Sequence, residues 1–296
     1  MVQFLGFLVL TFGAAFASHW SYDNQTVWPE LCNSGTRQSP INIQTSSTKQ
    51  TYLLPFIFTG YSERFFANVT NTGHTVKINL QNNGKVPTVE RGGLPGTYAL
   101  DSVHFHWNSE HTINGYRYPA ELHAVHYNVQ YGNLDNATIR ENGLAVFSIL
   151  FEISSDDDKY FSPIMKVIEK VDNTVGMTAQ TNESFSPDIF FPRDTSGYYR
   201  YIGSLTTPDC NEGVIWTLFT NTLHISESQV SYFTSMWSET GLLTENYRTQ
   251  QPINGRPVYE KISPLPKVIT IVTSNASKVA YIKLLMLFSI IYLYLK

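Results

Sequence analysis

The sequence predicts an α+β domain that is predominantly β, built as a large central twisted, mostly antiparallel sheet with short peripheral helices. Three observations carry this reading. Short apolar/polar alternations recur along the chain between Gly, Asn and Asp turns, as half-buried strands require. Helical periodicity is confined to two segments. No internal repeat and no Gly/Ser-rich linker divides the stretch from Ser18 to Ser263, so one sizeable core is expected for a chain of 296 residues.

Composition agrees. A chain that is 42% hydrophobic, 14% aromatic and only 15% charged is globular rather than disordered. Its formal charge of -4, without a long basic run, leaves no electrostatic footprint for nucleic acid and excludes that class of partner.

Taken in order, the chain opens with MVQFLGFLVLTFGAAFA, an apolar run ending in the small-x-small triplet Ala15-Phe16-Ala17. It reads as a secretory signal peptide over residues 1–17, although a basic leading region is absent. Strands are expected in FFANVTNTGHTVKINL, TYALDSVHFHWN, AELHAVHYNVQY, LAVFSILFEIS and IWTLFTNTLHIS. The best helix is Phe161 to Val171, with Ser162 as N-cap before Pro163. A second runs from Ser226, as cap, to Trp237.

At the far end, Ser274-Asn275-Ala276-Ser277 precedes a short spacer and the apolar run LLMLFSIIYLYL. This fits a GPI-attachment signal with Ser274 or Asn275 as anchor residue, 264–275 as linker and 276–296 as a removed propeptide. The alternatives are secretion or a transmembrane helix, but Lys283 limits the run to about a dozen residues where roughly 20 are needed to span a bilayer.

Passage through an oxidising compartment makes other features legible. Asn24, Asn68, Asn136 and Asn182 begin N-x-Ser/Thr glycosylation triplets, as does Asn275 itself. Cys32 and Cys210 are the only intramolecular pair available. A disulfide closing so long a loop contributes on the order of 4–5 kcal/mol by chain entropy.

Five of the eight histidines fall between His104 and Asn128. Strand alternation sorts them. Ser102, His104 and His106 share one face, while Val103, Phe105 and Trp107 face a core. On the next strand Glu121, His123 and Val125 point one way and Leu122, Ala124 and His126 the other. Only one of His123 and His126 can therefore join the first pair, and Glu121 favours His123 by offering a carboxylate to its second ring nitrogen. His126 is expected to satisfy a hydrogen bond in the core. Three neutral nitrogens with an open fourth position describe a catalytic zinc site rather than a closed structural one. Spacing alone leaves His111 open as a ligand.

SEHTINGYRYPAELHAV resembles the signature segment of α-class carbonic anhydrases. The resemblance extends through RQSPINI (Arg37 to Ile43), NTGHTV (Asn71 to Val76), HFHW, YRYIGSLTTPDCNEGVIW (Tyr199 to Trp216) and NYRTQQPINGR (Asn246 to Arg256). It covers nearly all of Ser18 to about Lys261 and is closest in kind to the secreted, membrane-anchored branch. Residues 18–263 are accordingly expected to be the catalytic domain, with that family's fold.

The resemblance implies zinc as cofactor on His104, His106 and His123, with His111 and His126 structural. It implies that Thr206 hydrogen-bonds a zinc-bound hydroxide, that Glu110 fixes the direction of that hydroxyl, and that Thr207 lines the same pocket. His74 matches the proton shuttle and Tyr22 a tyrosine that orders the water chain. Val125, Val146, Leu205, Val214 and Trp216 match the apolar wall where carbon dioxide sits, and Cys32–Cys210 the branch's disulfide, tethering the Thr206 loop. The implied activity is reversible hydration of carbon dioxide to bicarbonate and a proton at the outer face of the plasma membrane; the alternative is a catalytically silent extracellular binding module. A zinc protease is disfavoured, since no HExxH helix motif is present. Oligomeric state is not legible.

The chemistry suits the residues. Carbon dioxide is small and apolar, so rate must come from a strong nucleophile available near pH 7, which zinc on neutral imidazoles supplies. A histidine, with an unperturbed pKa near 6.5, suits proton relay. The chain also departs from the family pattern. Only Asn108 separates Trp107 from Ser109, where most members carry several residues more. Ser102 replaces a longer amide, Thr72 and Lys77 replace asparagines near the shuttle, and Asp209 stands where many members have a second proline.

Overall fold

A computed structural model describes residues 20–81, 83–261, 271–272 and 281–282. The expected signal segment at 1–17 and the expected anchor residues Ser274 and Asn275 lie outside the described residues. The chain divides into two units, Met1–Ile262 and Ser263–Lys296. What is described of the second is a short antiparallel pair, Ile271–Val272 against Tyr281–Ile282.

The first unit is organised by a thirteen-stranded sheet. Its strands are β1 (Lys49–Thr51), β2 (Phe56–Thr59), β3 (Ala67–Asn71), β4 (Val76–Leu80), β5 (Thr88–Arg91), β6 (Tyr98–Trp107), β7 (Ala120–Asn128), β8 (Leu144–Ser154), β9 (Thr178–Gln180), β10 (Tyr198–Ser204), β11 (Glu212–Phe219), β12 (Leu223–Ser226) and β13 (Tyr259–Lys261). The main path runs β9-β3-β4-β6-β7-β8-β11-β10-β13-β1. Only the β8–β11, β8–β12 and β13–β1 pairings are parallel, so the sheet is mostly antiparallel as expected. Two of the long alternating runs are each two strands: the first breaks at the Thr72–Thr75 turn and the last between Phe219 and Leu223.

The alternation in β6 and β7 has a physical cause. Val103, Phe105, Trp107, Leu122 and Ala124 are buried in the main apolar core, and burying each large side chain contributes about 1.5–3 kcal/mol. That burial fixes the register, because a one-residue slip would move the whole apolar set into the polar face. A bulge modifies it once: Val125 pairs with Ser102 and His126 with Leu100, leaving Asp101 without a cross-strand partner.

Among the described residues, the α-helices are four and short: α1 (Glu30–Ser34), α2 (Leu134–Thr138), α3 (Ser162–Ile168) and α4 (Glu227–Thr234). In α4, Ser226 caps as expected, within a capping box closed by Gln229. The α3 expectation needs correction. Phe161 is the N-cap, without a side-chain bond, and Ser162 and Pro163 already lie inside the first turn. Burial of Ile164, Met165, Val167 and Ile168 sets this helix in place of a hydroxyl cap. It also stops at Ile168, short of Val171.

Candidate metal centre

The sheet register carries the site. Lys77 on β4 pairs with His104 on β6, His104 with His123 on β7, and His123 with Ser148 on β8. His106 lies one pleat from His104 on the same face. One ligand atom from each of His104, His106 and His123 falls within 4.8 Å of the others, so the three rings can hold one metal ion.

Each ring's second contact decides which nitrogen is available. His106 Nδ1 donates to the Asn246 carbonyl at 2.6 Å, leaving Nε2 with its lone pair. His123 Nε2 donates to Glu121 Oε1 at 2.7 Å, leaving Nδ1, which lies 3.3 Å from His104 Nε2. Burial lowers the pKa of all three rings, His106 to about 4, so at neutral pH they present lone pairs. Among the described residues, the buried side-chain atoms without a hydrogen-bond partner are His106 Nε2, Glu110 Oε2 and Asp101 Oδ2. The first two face each other at 3.5 Å. The three imidazole nitrogens are a donor set suited to a divalent cation with room for one more ligand, and Glu110 Oε2 lies beside it, 3.5 Å from His106 Nε2 and 3.9 Å from His123 Nδ1.

A second cluster, His111, Glu121 and His123, is equally close-set, but its atoms are already paired. Glu121 accepts from the His111 ring at 2.7 Å, the His111 backbone at 2.8 Å, His123 at 2.7 Å and the Ser148 hydroxyl at 2.7 Å. The other His111 nitrogen meets Tyr201 Oη at 2.6 Å. Burial alone would raise the Glu121 carboxyl, yet His111 and His123 overcome it and hold it well below the usual range. His126 is likewise paired in the core, with the Ala124 carbonyl at 2.9 Å and with Tyr61.

Glu110 reaches the site despite the short turn before it. Asn108 takes a left-handed conformation at φ 63°, which asparagine tolerates, and the Asn108 and Ser109 amides donate to Pro119 and Tyr118 carbonyls at 2.8 Å. Glu110 Oε1 accepts the Arg248 amide at 2.8 Å, and the carboxylate is hydrogen-bonded by Thr206. Burial pushes it up to about 7 against the pull of His123, Thr206 and Arg248. Thr206 is buried and Thr207 half-buried beside it.

Val125, Val146 and Trp216 form a cross-strand row beside the histidine row, and with Val214 and partly buried Leu205 they belong to a second apolar cluster. The Trp216 and His123 ring centres are 4.8 Å apart. Cys32 and Cys210 form a disulfide that ties α1 to the loop after Thr206, where Cys210 N also donates to the Thr207 carbonyl at 2.8 Å. His74 stacks on Trp20 with ring centres 3.7 Å apart. It lines a cleft of about 520 Å³ with Trp20, Tyr22, Asp23, Glu239 and Tyr247, and none of the three histidines is among the lining residues. Burial and the charge of Glu110 raise the Tyr22 hydroxyl well above its ordinary value. Asn24, Asn68, Asn136 and Asn182 are all exposed.

Sequence reasoning assigned nothing to Asn246, Arg248 or Trp20. The first two sit in NYRTQQPINGR, a segment singled out as a motif but without a role. Asn246 donates to the Phe105 and His74 carbonyls at 2.9 and 3.1 Å, so one side chain positions both the ligand strand and the His74 turn.

Comparison with known proteins agrees with this geometry. The family model described as eukaryotic-type carbonic anhydrase matches residues 17–262. The chain is 33% identical over 283 residues to carbonic anhydrase 15 of Mus musculus, covering 86% of this chain and 87% of the relative. It is 34% identical over 262 residues to carbonic anhydrase 6 of Mus musculus, covering 81% and 80%. To putative carbonic anhydrase 5 of Caenorhabditis elegans it is 32% identical over 276 residues, covering 88% of each. With three imidazoles converging on one point of a mostly antiparallel sheet, and a family match spanning that whole unit, the chain belongs to the eukaryotic-type carbonic anhydrases.

Proposed function

We propose that the protein hydrates carbon dioxide reversibly to bicarbonate and a proton at the cell exterior, using zinc held by His104, His106 and His123. The observation that carries this reading is the convergence of three neutral imidazoles, His106 and His123 buried and His104 half-buried, beside the orphaned Glu110 Oε2 and the apolar Val125–Val146–Trp216 row. Zinc, when bound, supplies a Lewis acid that lowers the pKa of water from 15.7 to about 7, a value established for carbonic anhydrases as a class.

The chain's own residues do the rest. Arg248 N occupies Glu110 Oε1 and the Thr206 hydroxyl donates to the same carboxylate. The Thr206 oxygen is then left as an acceptor, so it can take a hydrogen bond from the attacking oxygen and turn that atom's lone pair toward the substrate. Val125, Val146, Leu205, Val214 and Trp216 give carbon dioxide an apolar seat that excludes water, with Thr207 at its edge. His74, in the wall of the cleft, takes the proton released in each turnover and passes it to solvent, with Tyr22 ordering the water between.

The extracellular assignment rests on the disulfide, the four exposed asparagines of the glycosylation triplets and the two terminal segments. In this reading residues 1–17 are removed on secretion, 18–263 form the catalytic domain, 264–275 link to a GPI anchor at Ser274 or Asn275, and 276–296 are removed. No helix among the described residues is long and apolar enough to cross a membrane.

Zinc content together with stopped-flow carbon dioxide hydration, before and after chelation, tests the activity. One zinc per chain and a rate abolished by chelation or by His123→Ala are expected. Stoichiometric zinc without hydration would assign the protein as a silent binding module. For the anchor, a phosphatidylinositol-specific phospholipase should release the protein from cells; retention would favour a membrane span.

A further inference from the structure

The histidine row does not end at the metal ligands. Its next member is Lys77, the direct cross-strand partner of His104. Val76 and Ile78 on either side are buried in the core, so Lys77 lies on the histidines' face. Directly paired residues keep their Cβ atoms roughly 4.5–5.5 Å apart, which places a cationic side chain beside the ligand His104. The β6 bulge adds a second charge. Asp101, without a strand partner, brings its Oδ2 to 3.8 Å from Lys77 Nζ. That oxygen is buried and takes no hydrogen bond among the described residues, and the Lys77 ammonium is the opposite charge paired with it there. The Lys77 side chain is 37% exposed and that of Asp101 21%, so the pair borders solvent.

From this arrangement we infer that Lys77 and Asp101 are a compensated charge pair that sets how tightly the metal centre holds small anions, the bicarbonate product among them. Lys77 alone would add its positive charge to that of the ion and retain anions beside it. Asp101 cancels that field at short range, so a singly charged product leaves while a neutral substrate enters unaffected. The inference deepens the carbonic anhydrase reading and rests on zinc at the three histidines.

The test uses four zinc-loaded proteins at matched zinc content: the wild type, Asp101→Asn, Lys77→Met and the double variant. Thiocyanate and bicarbonate binding are measured by calorimetry at low and high ionic strength. Asp101→Asn, which unmasks the lysine, should tighten both anions roughly three- to tenfold, and Lys77→Met should weaken them by a similar factor. The double variant should return close to wild type, and all differences should shrink in high salt. Unchanged affinities, shifts of the same sign in both single variants, or shifts insensitive to salt would overturn the assignment. Binding heat is read without turnover, so the result stands apart from whether the protein hydrates carbon dioxide.

Discussion

Asn246 accepts the backbone N–H of Trp107 on its side-chain oxygen at 2.9 Å, while its own carbonyl takes the ring proton of His106, the neighbouring residue, at 2.6 Å. A loop about 140 residues further along the chain thus fixes both the path of β6 and the tautomer of a candidate metal ligand.

Replacing Asn246 with Ala removes the side-chain bonds to Trp107 N and to the Phe105 and His74 carbonyls. Leaving these groups unsatisfied should cost about 2–4 kcal/mol of stability. Urea unfolding of the zinc-loaded protein measures it, and a loss below about 1 kcal/mol would mean that water replaces the side chain.

Glu121→Gln keeps the shape of the side chain but removes the charge that His111 and His123 share. Zinc affinity should fall about 10- to 100-fold, measured by competition with a chromophoric chelator. An unchanged affinity would show that His123 is oriented by packing against Trp216 instead.

Reduction of Cys32–Cys210, or Cys32→Ser, should lower stability by about 5 kcal/mol in the chain-entropy model for a separation of 178 residues. Because the bond tethers the loop after Thr206, hydration by the fraction still folded should slow as well. Urea midpoints with and without reductant, paired with stopped-flow rates, separate the two effects.

His126 gives a pH signature. Burial lowers it from 6.5 to about 4. Above pH 6.5 the folded and unfolded chains are both neutral at this site and no penalty arises. Between pH 6.5 and 4 the unfolded chain takes up a proton that the fold refuses. Stability therefore falls by about 1.4 kcal/mol per pH unit, to a total of about 3 kcal/mol near pH 4. In His126→Gln, urea-derived stability should decline less steeply across that window, by about one proton; parallel slopes would refute this.

Local pattern carried much of the fold. Alternation put His104 and His106 on one face and His123 and His126 on opposite faces, Glu121 then favoured His123, and the Ser226 cap of α4 was legible because a capping box is a local motif. Phe161 replaced Ser162 as the cap of α3 because four buried apolar side chains decide where that helix starts, and burial is a tertiary fact. Asn246 and Arg248 escaped for the same reason: hydrogen bonds spanning some 140 residues leave no periodic trace. Asp101 required the bulge, which only pairing reveals. Glu110 was the converse, a residue known from motif whose approach through one left-handed Asn108 no spacing rule would supply.

The disulfide also imposes an order on biosynthesis. Cys32 emerges 178 residues before its partner, so at about 5–20 residues per second it waits roughly ten to forty seconds as a free thiol. Arg248, which donates to the Cys32 carbonyl, arrives later still. The amino-terminal segment can therefore be locked down only after almost all of the sheet has been made, and until then its thiol is open to whatever redox catalyst the compartment provides.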